Sequence, residues 1–203
     1  VDAAHIEASL KDVTACLEQV AYADLLIVNK IDCVGAQSLE AIEAHLLQLN
    51  PLASIVRAEH SQIDVDSFLT VRGNGNEARL SGDHDDHHHD HHHDHSHDDH
   101  SHDDGIQAVV VELPGDVDVA ALDVWLGNLT RQSEPALLRM KGVLSVPGDP
   151  RRFVFNGVRS AVDVRPGRPW GDDSRFCRIV MIGRSLDLTV LQAGLAACSA
   201  SEA

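Results

Sequence analysis

Asn29-Lys30-Ile31-Asp32 is the segment of this 203-residue chain whose residue types and spacing most directly suggest chemistry. A carboxylate at the fourth position can accept two hydrogen bonds from guanine, one from N1–H and one from the exocyclic amine. Adenine presents an acceptor at N1 and carries no amine at C2, so the same carboxylate would be left unpaired or repelled. Losing paired polar contacts of that kind discriminates by factors on the order of 10⁴ in a well-built site. The lysine stem can lie along the base face, and the asparagine amide can tie loops together. A turn or a helix N-cap, which Asn and Asp also favour, is the plainer reading of the same residues. Hydrolysis of a nucleotide needs in addition a phosphate loop, GxxxxGK[ST], and a magnesium-binding aspartate. The sequence contains no Gly-Lys-Ser/Thr segment.

A second chemical signal lies in the 22 residues from Asp83 to Asp104, which hold nine Asp, eleven His, two Ser and nothing else. His84, His87, His88, His89, His91, His92, His93, His95, His97, His100 and His102 offer imidazoles suited to Zn, Cu, Ni and Co. The interspersed carboxylates add charge and further ligands. Donors recur in many registers, which favours loose, exchangeable binding over one tetrahedral cage with fixed outer partners. Neighbouring aspartates favour protonated imidazole, so protons compete with metal below about pH 6.5. An acidic solvated spacer is the plain alternative. The sharper expectation is a metal reservoir of low specificity feeding a tighter site elsewhere.

The charge is placed unevenly around these two features. The net charge is −16, from 16 Lys+Arg and 32 Asp+Glu, and the His/Asp run alone carries nine of those acids. No global basic excess exists to release counterions, which disfavours a nucleic-acid binder. No run approaches 18 apolar residues, so no membrane-spanning helix is expected. The start, Val1-Asp2-Ala3-Ala4, has neither an initiator Met nor a signal segment and reads as a fragment or a processed chain. Cys16, Cys33, Cys177 and Cys198 form no CxxC pair, which points away from a zinc knuckle or a disulfide framework and towards a reducing, cytoplasmic setting. An organellar setting stays open.

The elements that must position the tetrad can be read from periodicity. Ile6, Leu10, Val13, Leu17 and Val20 make one helical stripe, and Leu39, Ile42, Leu46 and Leu49 a second, stopped by Asn50-Pro51. Between them, Asp24-Leu25-Leu26-Ile27-Val28 reads as a strand buried on both faces of a parallel sheet, with the tetrad at its carboxyl end. Ser54–Arg57 reads as a further strand and Val65–Leu69 as a helical turn or short helix. This rhythm is that of an α/β sheet. From Arg72 to Asp104 nothing can bury enough surface to offset ordering entropy. Order returns with a strand at 106–113, then a helix carrying Val119, Leu122, Trp125, Leu126 and Leu129 behind Asp118 as its N-cap. Strands Leu137–Val146 and Arg152–Val158 are joined by the turn Pro147-Gly148-Asp149-Pro150, and a strand Phe176–Gly183 and a helix Leu186–Cys198 close the chain. This half reads as α+β with a mostly antiparallel sheet.

Residues 131–184 carry eleven basic residues against five acids, Arg151, Arg152, Arg165, Arg168, Arg175, Arg178 and Arg184 among them. A solvated sheet face and docking to the first half or to an acidic client both fit this excess, and nucleic acid fits less well. Trp170, between Pro169 and Gly171, reads as a packing anchor.

Several blocks come in a fixed order: Leu138-Arg139-Met140-Lys141-Gly142-Val143-Leu144, Arg152-Phe153-Val154-Phe155-Asn156-Gly157-Val158, Arg165-Pro166-Gly167-Arg168-Pro169-Trp170-Gly171-Asp172-Asp173, Arg175, and Ile182-Gly183-Arg184-Ser185-Leu186-Asp187. Together they closely resemble the C-terminal domain of the CobW family of metallochaperone-type P-loop GTPases. The tetrad with Leu49-Asn50-Pro51-Leu52-Ala53 resembles the last third of that family's GTPase domain, and Val1-Asp2-Ala3 the end of the preceding strand. The resemblance implies residues 1–71 as the C-terminal part of a P-loop GTPase sheet (α/β). Residues 72–105 would be a disordered metal-binding linker and 106–203 an α+β CobW C-terminal domain. It implies GTP, with Mg in the full-length protein, bound in this chain by Asn29, Lys30 and Asp32 only. It implies zinc or another divalent transition metal as cargo and a metal-requiring client protein as partner; oligomerisation stays open. The family's phosphate loop, magnesium ligands and CxCC motif lie upstream of the matching positions, so this chain alone is expected to be inactive in GTP hydrolysis. Cys33 replaces the apolar residue usual after the tetrad and is expected to be a packed thiol, not a ligand. A non-enzymatic metal-storage module from a degenerate GTPase, and a regulatory GTPase without metal traffic, are the alternatives.

Overall fold

The apolar run after Asp24 becomes β1 (Leu25–Asn29), which pairs in parallel with β2 (Ser54–Ala58), from Leu25 opposite Ser54 to Asn29 opposite Ala58. The structure, a computed structural model, describes residues 1–12, 14–64, 105–131, 136–158 and 161–200. Residues 1–3 flank the other edge of β1: Asn29 N–H donates to the Val1 carbonyl and Ala3 N–H to the Asn29 carbonyl, both at 2.9 Å. Thus β1 lies between two parallel neighbours, as its unbroken apolar sequence requires. The first helical stripe forms α1 (Ile6–Asp12) and α2 (Thr14–Tyr22), and the second forms α3 (Ala36–Leu49). Ile6, Leu10, Val20, Leu39, Ile42 and Leu46 pack with Leu26 and Val28 of β1 into one core. The helical turn expected at Val65–Leu69 and the whole His/Asp run lie outside the described residues.

Asn50 does more than end α3. It is fully buried, and its amide N–H groups donate to the carbonyls of Val20 (2.8 Å), Ala21 (3.2 Å) and Ala23 (2.9 Å). Its Oδ1 accepts from Leu52 N–H at 3.0 Å. A single side chain therefore serves the carbonyls of Ala21 and Ala23, adds a second donor to Val20, which also accepts from Ala23 N–H, and locks the end of α2 to the α3–β2 connection.

The second sheet is built of β3 (Gln107–Pro114), β4 (Ala136–Leu144), β5 (Arg151–Val158), β6 (Ala161–Pro169) and β7 (Phe176–Arg184). Its strand order is β3-β7-β4-β5-β6, all antiparallel. Helix α4 (Val119–Arg131) follows β3, and Asp118 Oδ1 accepts from the N–H groups of Ala120 and Ala121. Helix α5 (Leu188–Ala196) starts two residues later than the sequence suggests, because Asp187 caps it by accepting from Thr189 and Val190. Leu122, Leu126, Leu129, Leu191 and Leu195 from these helices pack on Met140, Phe155, Ile179 and Met181. Strand β6 was not expected from periodicity: it is exposed along nearly its whole length, and Pro166, Gly167 and Pro169 read as a loop. Gly142 marks the closest approach in the sheet. A Cβ there would lie 2.2 Å from Phe155 Cε1 and 2.7 Å from the Arg178 carbonyl.

The opposite face of this sheet meets the first unit. A register shift between Leu137 and Arg139 lets both Leu138 and Arg139 face that way. Ala21 and Leu52 join Ile106, Leu138, Val143, Trp170, Val180 and Ile182 in a shared apolar cluster. Trp170 is the packing anchor expected: it is buried, edge-on to Phe176 at 5.2 Å and capped by Arg152 at 4.4 Å. Beside the cluster, the side chain of Arg139 is 1% exposed and that of Lys141 9%. Arg139 donates to the Tyr22 carbonyl and to Asp24, and Lys141 Nζ donates to the same Asp24 carboxylate at 2.5 Å. Burial raises the Asp24 carboxyl, but Lys141 and Arg139 outweigh it and hold it below its ordinary value. Burial pushes the Lys141 ammonium down.

The basic excess of residues 131–184 is largely spoken for within the chain. Arg151 pairs with Asp149, Arg152 with Asp173, Arg165 with Asp163, Arg175 with Asp116, and Arg178 with Glu112. Arg184 reaches Glu18 on α2. Several of these acids lie outside the stretch that was counted, so a local sum along the sequence overstates the surface charge.

Candidate nucleotide site

A parallel strand ends with its carbonyl edge open, and the residues that follow it line the crevice where ligands of α/β sheets sit. In β1 those residues are the tetrad. Asn29 is the last strand residue, Lys30 turns the chain in the left-handed region (φ 64°, ψ 36°), and Ile31–Cys33 form a single 3₁₀ turn. The turn places Asp32 on the surface at the carboxyl end of the sheet. Among the described residues its carboxylate accepts one hydrogen bond, from Cys33 Sγ at 3.5 Å, which leaves acceptor capacity for the two parallel N–H groups of a guanine edge.

Two residues that sequence reasoning did not select pin the tetrad. Asn29 Nδ2 donates to Ser61 Oγ at 2.8 Å, and Ser61 N–H donates back to Asn29 Oδ1 at 2.9 Å. Ser61 lies in a tight turn after β2, where Gln62 N–H bonds the Glu59 carbonyl and His60 and Ser61 both have positive φ (50° and 61°). On the other flank, Lys30 Nζ donates to Asp2 Oδ2 at 2.7 Å, while Ala4 N–H fixes Asp2 Oδ1 at 3.0 Å. Lys30, with help from His5 and Ala4, holds the Asp2 carboxyl down at about 2 against its burial, and Asp2 in turn raises Lys30. The signal for both is positional: Asp2 is bridged to Asn29 on one side of β1, and Ser61 follows the carboxyl end of β2 on the other.

Cys33 corrects an expectation. It is exposed, not packed, because the 3₁₀ turn lifts it off the core. The adjacent Asp32 carboxylate, through its hydrogen bond to the thiol, pushes Cys33 up, which disfavours the thiolate. Among the described residues no group of three or more His, Cys, Asp or Glu is placed to hold a metal ion. His5 and His45 are each paired with one carboxylate, Asp2 and Glu7, at 3.2 Å. The eleven histidines singled out above lie outside the described residues. No helix among those described is long and apolar enough to cross a membrane.

A nucleotide-binding type of parallel α/β unit, followed by an antiparallel sheet backed by two helices, defines the class of this protein. Residues 1–57 match the CobW/HypB/UreG nucleotide-binding domain, and residues 106–199 match the cobalamin synthesis protein cobW C-terminal domain. The chain belongs to the CobW family. It is 29% identical over 196 residues to the zinc chaperone YjiA of Escherichia coli, covering 97% of this chain and 58% of that protein. It is 38% identical over 176 residues to the zinc chaperone CobW of Pseudomonas aeruginosa, covering 84% and 43%. The crystal structure of Zn(II)-bound YjiA GTPase from E. coli superposes with a TM-score of 0.72 at 27% identity, over 98% of this chain and 59% of that one. The chain spans about half the length of the curated relatives it matches.

Proposed function

We propose that this chain is part of a GTP-dependent zinc chaperone, in which residues 1–71 supply the guanine-reading side of a GTPase domain. Residues 72–105 are a metal-collecting linker and 106–203 a C-terminal domain. The single observation that carries the nucleotide part is the tetrad at the carboxyl end of the inner strand, pinned on one flank by Ser61 and on the other by Asp2. Asp32 accepts from guanine N1–H and the 2-amine, Lys30 lays its stem over the base, and Asn29 holds the neighbouring turn. Mg²⁺ and the phosphates would be held outside these residues. The names of the relatives support zinc as cargo, and the imidazole-carboxylate donor set of the His/Asp run suits that ion. Transfer to a metal-requiring client is the purpose of such a reservoir.

The nucleotide reading is tested by base specificity, since the chain holds only the base-reading part of a site. Saturation-transfer NMR with guanosine, xanthosine and adenosine reads weak binding. Guanosine is expected to dominate for the native chain. Xanthosine carries a carbonyl where guanosine carries its amine, so Asp32→Asn, which offers one donor and one acceptor, is expected to reverse the order towards xanthosine. Equal signals for all three bases, unchanged by the substitution, would refute the assignment. For the metal part, calorimetry with Zn(II) on a chain lacking Asp83–Asp104 is expected to show a lower stoichiometry, and an unchanged stoichiometry removes the reservoir.

A further inference from the structure

The two edges of the five-stranded sheet are treated differently. On β3, the outward backbone of Glu112 is occupied by Gln192 of α5, whose Oε1 accepts from Glu112 N–H (3.1 Å) and whose Nε2 donates to its carbonyl (2.6 Å). That edge is blocked by a side chain. The edge of β6 has no such cover among the described residues, and its exposed side chains alternate in chemistry. Val162 and Val164 lie opposite Gly157 and Phe155 of β5, on the face that α4 and α5 cover elsewhere in the sheet, and they are 44% and 52% exposed. Asp163 and Arg165 lie on the other face and pair with each other at 2.7 Å, both well exposed.

We propose that β6 is a self-association edge, on which a second copy of this chain pairs antiparallel about a twofold axis through Val164. The charge order makes the strand complementary to itself. In that register Asp163 faces Arg165 of the second copy and Arg165 faces its Asp163, so the ion pair now made along one strand is made twice across two. On the opposite face Val164 meets Val164, and Val162 meets Pro166, which joins the exposed apolar stripes of both copies. Pro166 has no N–H to continue the ladder, so pairing is confined to residues 162–166. An edge of five residues buries little area, and the dimer dissociates on dilution, with a constant on the order of 100 µM. The inference does not rest on the nucleotide or metal reading.

Sedimentation velocity of the 203-residue chain tests it, in EDTA so that metal bridging through the histidines is absent, from about 5 to about 500 µM. The expected result is a concentration-dependent monomer–dimer equilibrium. Asp163→Arg or Arg165→Asp alone sets like charges opposite each other twice and lowers association about tenfold or more. The double swap D163R/R165D restores complementarity and is expected to restore the dimer. Circular dichroism on each variant separates loss of association from loss of fold, and the rescue by the double swap needs a folded chain. A monomer at every concentration, a dimer indifferent to the single swaps, or a double swap that stays monomeric would each overturn the proposal.

Discussion

Asp24→Ala removes one carboxylate that serves two nearly buried cations of the other unit. Arg139 and Lys141 have side chains 1% and 9% exposed, whereas Asp24 is 60% exposed. Removing one member of a fully buried pair costs about 3–5 kcal/mol, and an exposed pair contributes only about 0–1 kcal/mol. The carboxylate is reached by water and Arg139 keeps its bond to the Tyr22 carbonyl, so the expected loss lies between those limits, at about 2 kcal/mol. In a chain of this size that lowers Tm by about 4–8 °C, read by calorimetry and checked by the urea midpoint. The pH dependence gives a second reading. Asp24 is held below its ordinary 3.8, so its contribution is fully present above that pH and is lost as the pH falls through the lower folded value. Native and Asp24→Ala chains should therefore differ at neutral pH and converge in strong acid. Replacing the whole set, as Asp24→Ala with Arg139→Met and Lys141→Met, should recover much of the loss, since no buried charge is then left alone. A Tm change below about 1 °C for the single variant, or no recovery in the triple, would refute the reasoning.

Other outcomes follow from local geometry. Asn50→Ala removes four hydrogen bonds in a buried site, three donated to the carbonyls of Val20, Ala21 and Ala23 and one accepted from Leu52 N–H, and should cost about 2–4 kcal/mol in urea denaturation. Gly142→Ala forces a Cβ against the Phe155 ring and the Arg178 carbonyl, and a loss of at least about 3 kcal/mol is expected by the same measurement. Asp2→Ala frees Lys30, so NMR signals from guanosine and xanthosine should fall together, in contrast to the reversal expected from Asp32→Asn. The exposed Cys33 should react with iodoacetamide at pH 8 more slowly than a free cysteine, because Asp32 raises its thiol, and Asp32→Asn should speed it up.

What could be read from the sequence was whatever repeats along it. The stripes of α1, α2 and α3 and the apolar run of β1 bury one face or two, and burial leaves a period. The tetrad was visible because its chemistry is packed into four consecutive residues. Strand β6 alternates only over Val162–Arg165, too short a run to stand out beside the prolines that follow, which carry the signature of a loop. Asn50 was visible as a helix stop, but its three carbonyl partners lie 27 to 30 residues away, and no local pattern reports such a bond. Ser61 and Asp2 reach the tetrad from 32 and 28 residues away, for the same reason. The arginines were counted correctly as a cluster. Their partners Glu18, Asp24, Glu112 and Asp116 lie outside it, which is why the cluster did not become a basic surface.

Strand β1 is a gauge of fixed length. Asp24 immediately precedes it and grips the second unit; Asn29 ends it and grips the turn that holds the tetrad. The five residues between them and including Asn29 span roughly 17 Å, and each also alternates between the two faces of the sheet. Inserting or deleting one residue here moves one grip by about 3.3 Å and turns the intervening side chains over. Either the cations Arg139 and Lys141 lose their carboxylate, or the guanine-reading loop leaves Ser61. Tolerance to such changes is therefore low in these five residues, and the length of the strand is set by both of its ends at once.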